Sequence, residues 1–200
     1  KKAASYLPRV DAIGVSSAGI YVDNQVRVAS LFLKVNKKDF ERRVKTMYID
    51  VAKEFGDVPL VVANDGDVTA LAGAMELNDN QVLGIAMGTS EAVGYVDETG
   101  QLKGWLNELA FVPVDKHKDA MIDEWSLDYG CGVKYFSQDA VIKLAKPAGI
   151  ELDEKLAPAQ KLKIVQKLNE EGDPRANEIF ENIGIYLGYT LAYYAHFYQI

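Results

Sequence analysis

The stretch VVANDGDVTALAGA, residues 61–74, sets two carboxylates where an apolar run gives way to a run of small residues. Val61–Ala63 read as the end of a strand and Val68–Ala74 as the body of a helix. Asp65 stands at the junction. An acid there can cap the free N–H groups of the first helical turn, or act as a base presented at the end of a sheet. The stretch alone admits both readings. Asp67 competes for the cap, which leaves Asp65 freer for chemistry.

Upstream, residues 10–15 (VDAIGV) read as a buried strand, followed by a small-residue turn at Ser16–Gly19. Ile20–Val22 and Val26–Ser30 flank Asp23-Asn24 as a hairpin. Asp39 is the expected N-cap of a helix running to Phe55, because Phe40, Val44, Met47, Tyr48, Val51 and Phe55 recur at helical spacing. Gly56 stops that helix and Pro59–Ala63 is the next strand. Strand, helix and strand make a β-α-β unit with parallel pairing. Downstream of the helix ending near Leu77, Val82–Met87, Ala92–Asp97 and Leu102–Leu106 suggest an antiparallel meander. The rest is helical: Ser137 or Asp139 caps one helix, Ala157–Glu171 forms a second, and a third runs from Asp173 to Tyr198. In the third, Pro174 occupies the first turn. Gly184, Gly188, Ala192 and Ala195 are expected to form a close-packed face.

The composition bounds the function. Of 200 residues, 48% are apolar and 26% charged, as in an ordinary globular protein with a substantial core. The net charge of −7 disfavours nucleic acid as a partner. The basic run Lys34–Lys45 reads as the solvated face of a helix. No apolar run approaches the ~18 residues of a membrane span, so no membrane partner and a cytoplasmic location are expected. The single cysteine, Cys131, reads as a small packed residue, and nothing suggests a metal site.

Chemistry concentrates at the strand ends. Gly88-Thr89-Ser90 follows an apolar strand and offers backbone N–H groups and hydroxyls suited to a phosphate, although a plain hairpin turn has the same composition. Neither G-x-x-x-x-G-K-[ST] nor G-x-G-x-x-G occurs. Asn64-Asp65 could hold and deprotonate paired hydroxyls, and Asn107-Glu108 could accept hydroxyls of a sugar. Trp105, Trp125, Tyr129 and Tyr135 could supply an apolar wall for a sugar face, or belong to the core.

The order IGVSSAGIYVDNQVRVAS, ANDGDVTALAGA, LGIAMGTSEAVGYVDETGQLKGWLNELAF and GCGVKYFSQDAVIKLA resembles the ROK family. That family comprises bacterial sugar kinases, glucokinase-like enzymes and related repressors. The resemblance implies an α/β chain of the actin-like ATPase (ribonuclease H-like) fold, with mixed sheets flanked by helices and two lobes around a cleft. Residues 1–66 would belong to the N-terminal lobe, and residues 67–200 to the C-terminal lobe with its helical extension. It further implies Asp65 as catalytic base, Asn64, Asn107 and Glu108 as sugar ligands, and Gly88 and Thr89 on the phosphates of ATP, with Mg²⁺. The expected partner is a small-molecule sugar, with a homodimer also compatible.

Departures from the family pattern are specific. Phe111 stands where the family's Glu-x-Gly-His motif has its histidine, and Val133 where a sugar-binding glutamate follows Gly130-Cys131. Only Cys131 remains of the zinc motif, so no zinc is expected. Glu91 follows a Gly-Thr-Ser turn where the family has Gly-Thr-Gly. The family's Asp-Gly-Gly-Thr phosphate loop and its later Gly-Gly turn near adenosine are not in the 200 residues, so the chain is expected to be incomplete at both ends and inactive as a fragment. The departures leave a second reading open, a non-catalytic sugar-binding sensor of the same fold.

Overall fold

The structure, a computed structural model, describes residues 3–6 and 9–200. Strand β1 (Ile13–Ser16) leads into the hairpin of β2 (Ile20–Val22) and β3 (Gln25–Val28), turned through Asp23 and Asn24, both with left-handed φ. Two short helices follow, α1 (Lys37–Asp39) and α2 (Met47–Lys53), and then β4 (Leu60–Ala63). β4 pairs with β1 in parallel, Ile13 opposite Leu60 and Ser16 opposite Ala63, so the β-α-β unit is present. The hairpin is fastened to that unit by Asn24. Its Nδ2 donates to the Leu60 carbonyl at 3.0 Å, and its Oδ1 accepts from the Val62 N–H at 2.8 Å.

The expected continuous helix from Asp39 to Phe55 is replaced by a broken one. Asn36, not Asp39, is the cap, its side chain accepting from the Asp39 N–H at 3.0 Å. Residues Phe40–Val44 widen into a π-helical turn, and the Lys45 N–H reaches back five residues to Phe40. The Lys45 carbonyl leaves the helical ladder to accept from Val26 of β3 at 3.0 Å. The tertiary hydrogen bond and the side-chain cluster of Val26, Ala29 and Val44 hold this break in place.

Helix α3 (Asp65–Leu77) lies on the antiparallel pair β5 (Val82–Met87) and β6 (Glu91–Val96). The approach depends on glycine. A Cβ on Gly66 would collide with the backbone of Val93, and one on Gly94 with the backbone of Asp67. The first turn of α3 is therefore pinned directly to β6. The third strand expected at Leu102–Leu106 does not form. A single bridge joins Leu102 to Val96, and Gly104, at φ +68°, bends the chain away.

Helices α4 (Gln138–Ala145), α5 (Pro158–Glu170) and α6 (Pro174–Tyr194) pack around Val141, Ala145, Ile150, Val165, Ala176 and Ile179. Ser137 caps α4 and Asp173 caps α6, with Pro174 at the first position as expected. The face of Gly184 and Gly188 is not a packed one: both are exposed, with open space where a Cβ would stand. Helix α6 instead buries Ala176, Ile179, Thr190 and Tyr194. Tyr194 and Tyr198, the latter beyond the helix end, join Val93, Tyr95 and Leu109 in a second core. The chain is thus α/β, with one parallel and two antiparallel strand pairs among the described residues. No helix among them is long and apolar enough to cross a membrane.

Candidate functional site

Asn64 resolves the ambiguity at the head of α3. Its Oδ1 accepts from the Gly66 N–H at 2.8 Å and caps the helix, while its Nδ2 donates to the Gly19 carbonyl at 2.9 Å. Gly19 can present that carbonyl because it has φ +131° and its missing side chain admits Val28 and Ala29. Asp65, the first residue of the helix, is left half-buried, its carboxylate accepting no hydrogen bond among the described residues. The other acid of the turn, Asp67, is engaged elsewhere and accepts from Nδ2 of Asn107 at 3.2 Å.

Asp65 opens into a cleft of about 380 Å³ that gathers segments far apart in sequence. One side is built from Gly19, Ile20, Val28 and Leu33 around the hairpin, together with Asn64 and Asp65. The other is built from Ser90–Val93, Leu106–Glu108, Phe111, Asp123, Trp125 and Val133. Asn64, Asp65, Asn107 and Glu108 therefore share one cavity. Phe111 and Val133 line the same space. Phe111 meets Trp125 with ring centroids 5.3 Å apart, forming an aromatic wall. The remaining aromatic candidates lie elsewhere: Trp105 stacks on Tyr95 at 5.9 Å, and Tyr135 donates to Asp115 at 2.6 Å.

The polar candidates are not equally available. Asn107 holds a left-handed φ of 49° and is committed on both sides of its amide, donating to Asp67 and accepting from the Tyr198 hydroxyl at 3.1 Å. Glu108 stands on the rim, and desolvation by the surrounding wall raises its carboxyl above the ordinary range. Gly88 and Thr89 form the exposed tip of the β5–β6 hairpin and do not line the cleft, which reaches the turn only at Ser90. The Gly88 carbonyl accepts from the Gln138 N–H at 2.9 Å, tying the tip to the start of α4.

Two further acids, Glu91 and Asp123, line the cleft. Glu91 is only 4% exposed, and neither carboxylate oxygen has a hydrogen-bond partner among the described residues. Gly132 lies so close that a Cβ there would strike Oε2. Burial pushes the Glu91 carboxyl up to about 7. Asp123 is the opposite case. Burial works against its charge, but the N–H groups of Ser126 and Trp125 and the nearby Lys134 ammonium hold its carboxyl below the usual range. No motif marks either role; an acid two residues after Gly-Thr is the only sequence signal for Glu91.

Lys134 explains how the Trp125 wall is held. Its buried ammonium donates to Asp139 at 2.8 Å and to Glu124, and it stands 3.8 Å from Asp123. Burial pulls the Lys134 pKa down, and the hydrogen bonds to Asp139 and Glu124 outweigh it, so the ammonium is held above its ordinary range. Lys134→Met should cost about 2 kcal/mol, since the lost bonds are charge-assisted but Glu124 returns to solvent. Urea unfolding checks this, and Trp125 emission should shift to the red as its loop loosens.

No protein-family model matches the chain, and no curated protein sequence matches it. Solved structures do. A ROK family transcriptional regulator, a homologue of the Escherichia coli MLC protein, superposes with a TM-score of 0.71 at 19% identity, over 98% of this chain and 50% of that one. This is the ROK fold. A ROK family glucokinase from Streptomyces griseus, solved in complex with glucose and AMPPNP, gives a TM-score of 0.67 at 21% identity, over 98% of this chain and 65% of that one. A ROK family protein from Streptococcus pneumoniae, in complex with sucrose, gives 0.65 at 11% identity, over 98% and 62%. The chain spans half to about two thirds of the length of these structures.

Proposed function

We propose that the whole protein is a ROK-like sugar kinase, in which Asp65 takes the proton of a sugar hydroxyl as that oxygen attacks the γ-phosphoryl group of ATP. The observation that carries this reading is the Asp65 carboxylate itself. It is freed from capping by Asn64, opens into the cleft, and faces the same cavity as Glu108 and the Phe111–Trp125 wall. An apolar sugar face stacks on aromatic rings while its hydroxyls reach carboxylates and amides. Asn64 retains one N–H and one lone pair beyond its two structural bonds, enough to orient a neighbouring hydroxyl. Residues 1–66 and 67–200 would belong to two lobes facing each other across this cleft, a division supported by its two-sided lining.

Residues of the hairpin tip fit a phosphate in part. Thr89 is exposed and its hydroxyl can donate to a phosphate oxygen, with Gly88 allowing close approach. Bound ATP·Mg²⁺ would supply the γ-phosphoryl group and neutralise charge on its oxygens. Glu91 lies close to this tip in sequence, but its raised pKa lets it hold a proton near neutral pH, which reduces repulsion toward a phosphate. The fold comparisons support sugar and nucleotide as ligand classes through the complexes named above, and the kinase activity is proposed for the full-length protein rather than for these 200 residues alone.

A second reading, a sugar-binding sensor without turnover, is favoured by one specific observation. Phe111 and Val133 place apolar surface in the cleft where the family pattern has polar sugar ligands. Titration with a panel of hexoses should quench Trp125 emission, and the quench should vanish in Trp125→Phe. ATP consumption by the full-length protein with the quenching sugar supports the kinase. Binding without consumption supports the sensor, and no quench with any sugar removes both.

A further inference from the structure

Large apolar side chains face the cleft from both of its sides. Ile20, Val28 and Leu33 stand on the hairpin side, and Leu106, Phe111 and Trp125 opposite. Leu33 is 57% exposed and Leu106 63%, yet neither belongs to a loose stretch of chain. Leu33 lies between Phe32 and Val35, which pack on the core of Val26, Ala29 and Val44. Leu106 lies between Trp105, stacked on Tyr95, and Asn107, which is bonded to Asp67 and to Tyr198. Both leucines are therefore held by anchored neighbours while their own side chains meet water. Covering such side chains with an apolar group is favourable in proportion to the area removed from water. A free hexose does this poorly. One of its faces can stack on Phe111 and Trp125, but hydroxyls laid against leucine lose water and gain no partner.

We propose that this cleft takes a hydrophobic glycoside, with the sugar ring at Asn64, Asp65 and Glu108 and an aryl or alkyl aglycone between Leu33 and Leu106. The proposal rests on the sugar-binding reading above and narrows it to a substrate class. Leu33 and Leu106 are then specificity-determining residues that touch the aglycone and not the reacting hydroxyl. The polar groups of the cleft select the sugar, and the two leucines select what is attached to it.

Calorimetric titration of the full-length protein with methyl and phenyl D-glucopyranosides, in both anomers, tests this, with the D-galactopyranosides as a second series. D-glucose, D-galactose and phenol serve as references. Methyl and phenyl glycosides of one anomer share the same sugar, so their ratio of affinities reports the aglycone alone. In the anomer that binds, the phenyl glycoside is expected to bind about tenfold or more tightly than the methyl one, the effect of burying one ring. Leu33→Ala and Leu106→Ala should each lower that ratio about fivefold. Both side chains face solvent, so their truncation costs the fold little. Equal binding of methyl and phenyl glycosides overturns the proposal and leaves the sugar reading intact. Binding of no hexose and no glycoside removes the sugar reading itself. A phenyl preference that survives both variants overturns the assignment to Leu33 and Leu106. Phenol binding as tightly as its glycoside overturns the proposal too, because the cleft then offers apolar surface without selecting a sugar.

Discussion

Asp65→Asn should lower sugar phosphorylation by the full-length protein by about a thousandfold or more while leaving sugar affinity within about threefold. A positioned base contributes ~10²–10⁴ in rate, and an amide of the same shape cannot take the proton. The structure makes this substitution a clean test because α3 does not depend on Asp65 for its cap. That bond comes from Asn64 at 2.8 Å from the Gly66 N–H. Asn64→Ala should therefore cost stability, about 1 kcal/mol, whereas Asp65→Asn should leave the urea midpoint nearly unchanged. Initial rates with saturating sugar and ATP decide the matter. A retained rate in Asp65→Asn would exclude Asp65 as the base.

Glu91→Gln should stabilise the protein by about 3 kcal/mol at alkaline pH and not at all in acid. The sign follows from the proton. The Glu91 carboxyl titrates near 7 in the folded chain, against an ordinary value of 4.5. Below pH 4.5 both states hold the proton and the folded protein pays no penalty. Between pH 4.5 and 7 the unfolded chain ionises while the folded one does not, so stability falls as pH rises. Above 7 the loss is constant, at roughly 3 kcal/mol for a shift of this size. Glutamine does not titrate, so the difference between variant and parent should open across that window. Parallel urea curves at about pH 4.5, 6 and 8 measure it. A pH-independent difference would mean that Glu91 is solvated in the native state.

Sequence patterns carried far where the interactions are local. The Asp23-Asn24 turn, the β1–β4 pairing, the Ser137 and Asp173 caps and the extents of α3 and α5 all depend on residues within a few positions of one another, or on continuous apolar runs. Failures occurred where a distant group intervened. Helix 39–55 breaks because Lys45 gives its carbonyl to β3. The expected third strand after β6 is lost at Gly104. The small-residue face of α6 stays exposed because Tyr194 and Ile179 are on the packed side. Small residues at helical spacing permit close packing but do not supply a partner.

By itself, the sequence determined the α/β character, the ordered motifs that resemble ROK proteins, and the acids and amides at the strand ends. Those are properties of composition, spacing and order. Only the tertiary structure decided what each acid is free to do. Asp65 and Asp67 are two residues apart, yet one opens into the cleft and the other is tied to Asn107, forty residues on. Glu91 reads in sequence as a turn acid and is in fact buried without a donor, because Gly132 and the Tyr194 core close over it. Availability, burial and charge balance depend on which distant segments arrive at the same place, and no local pattern encodes that.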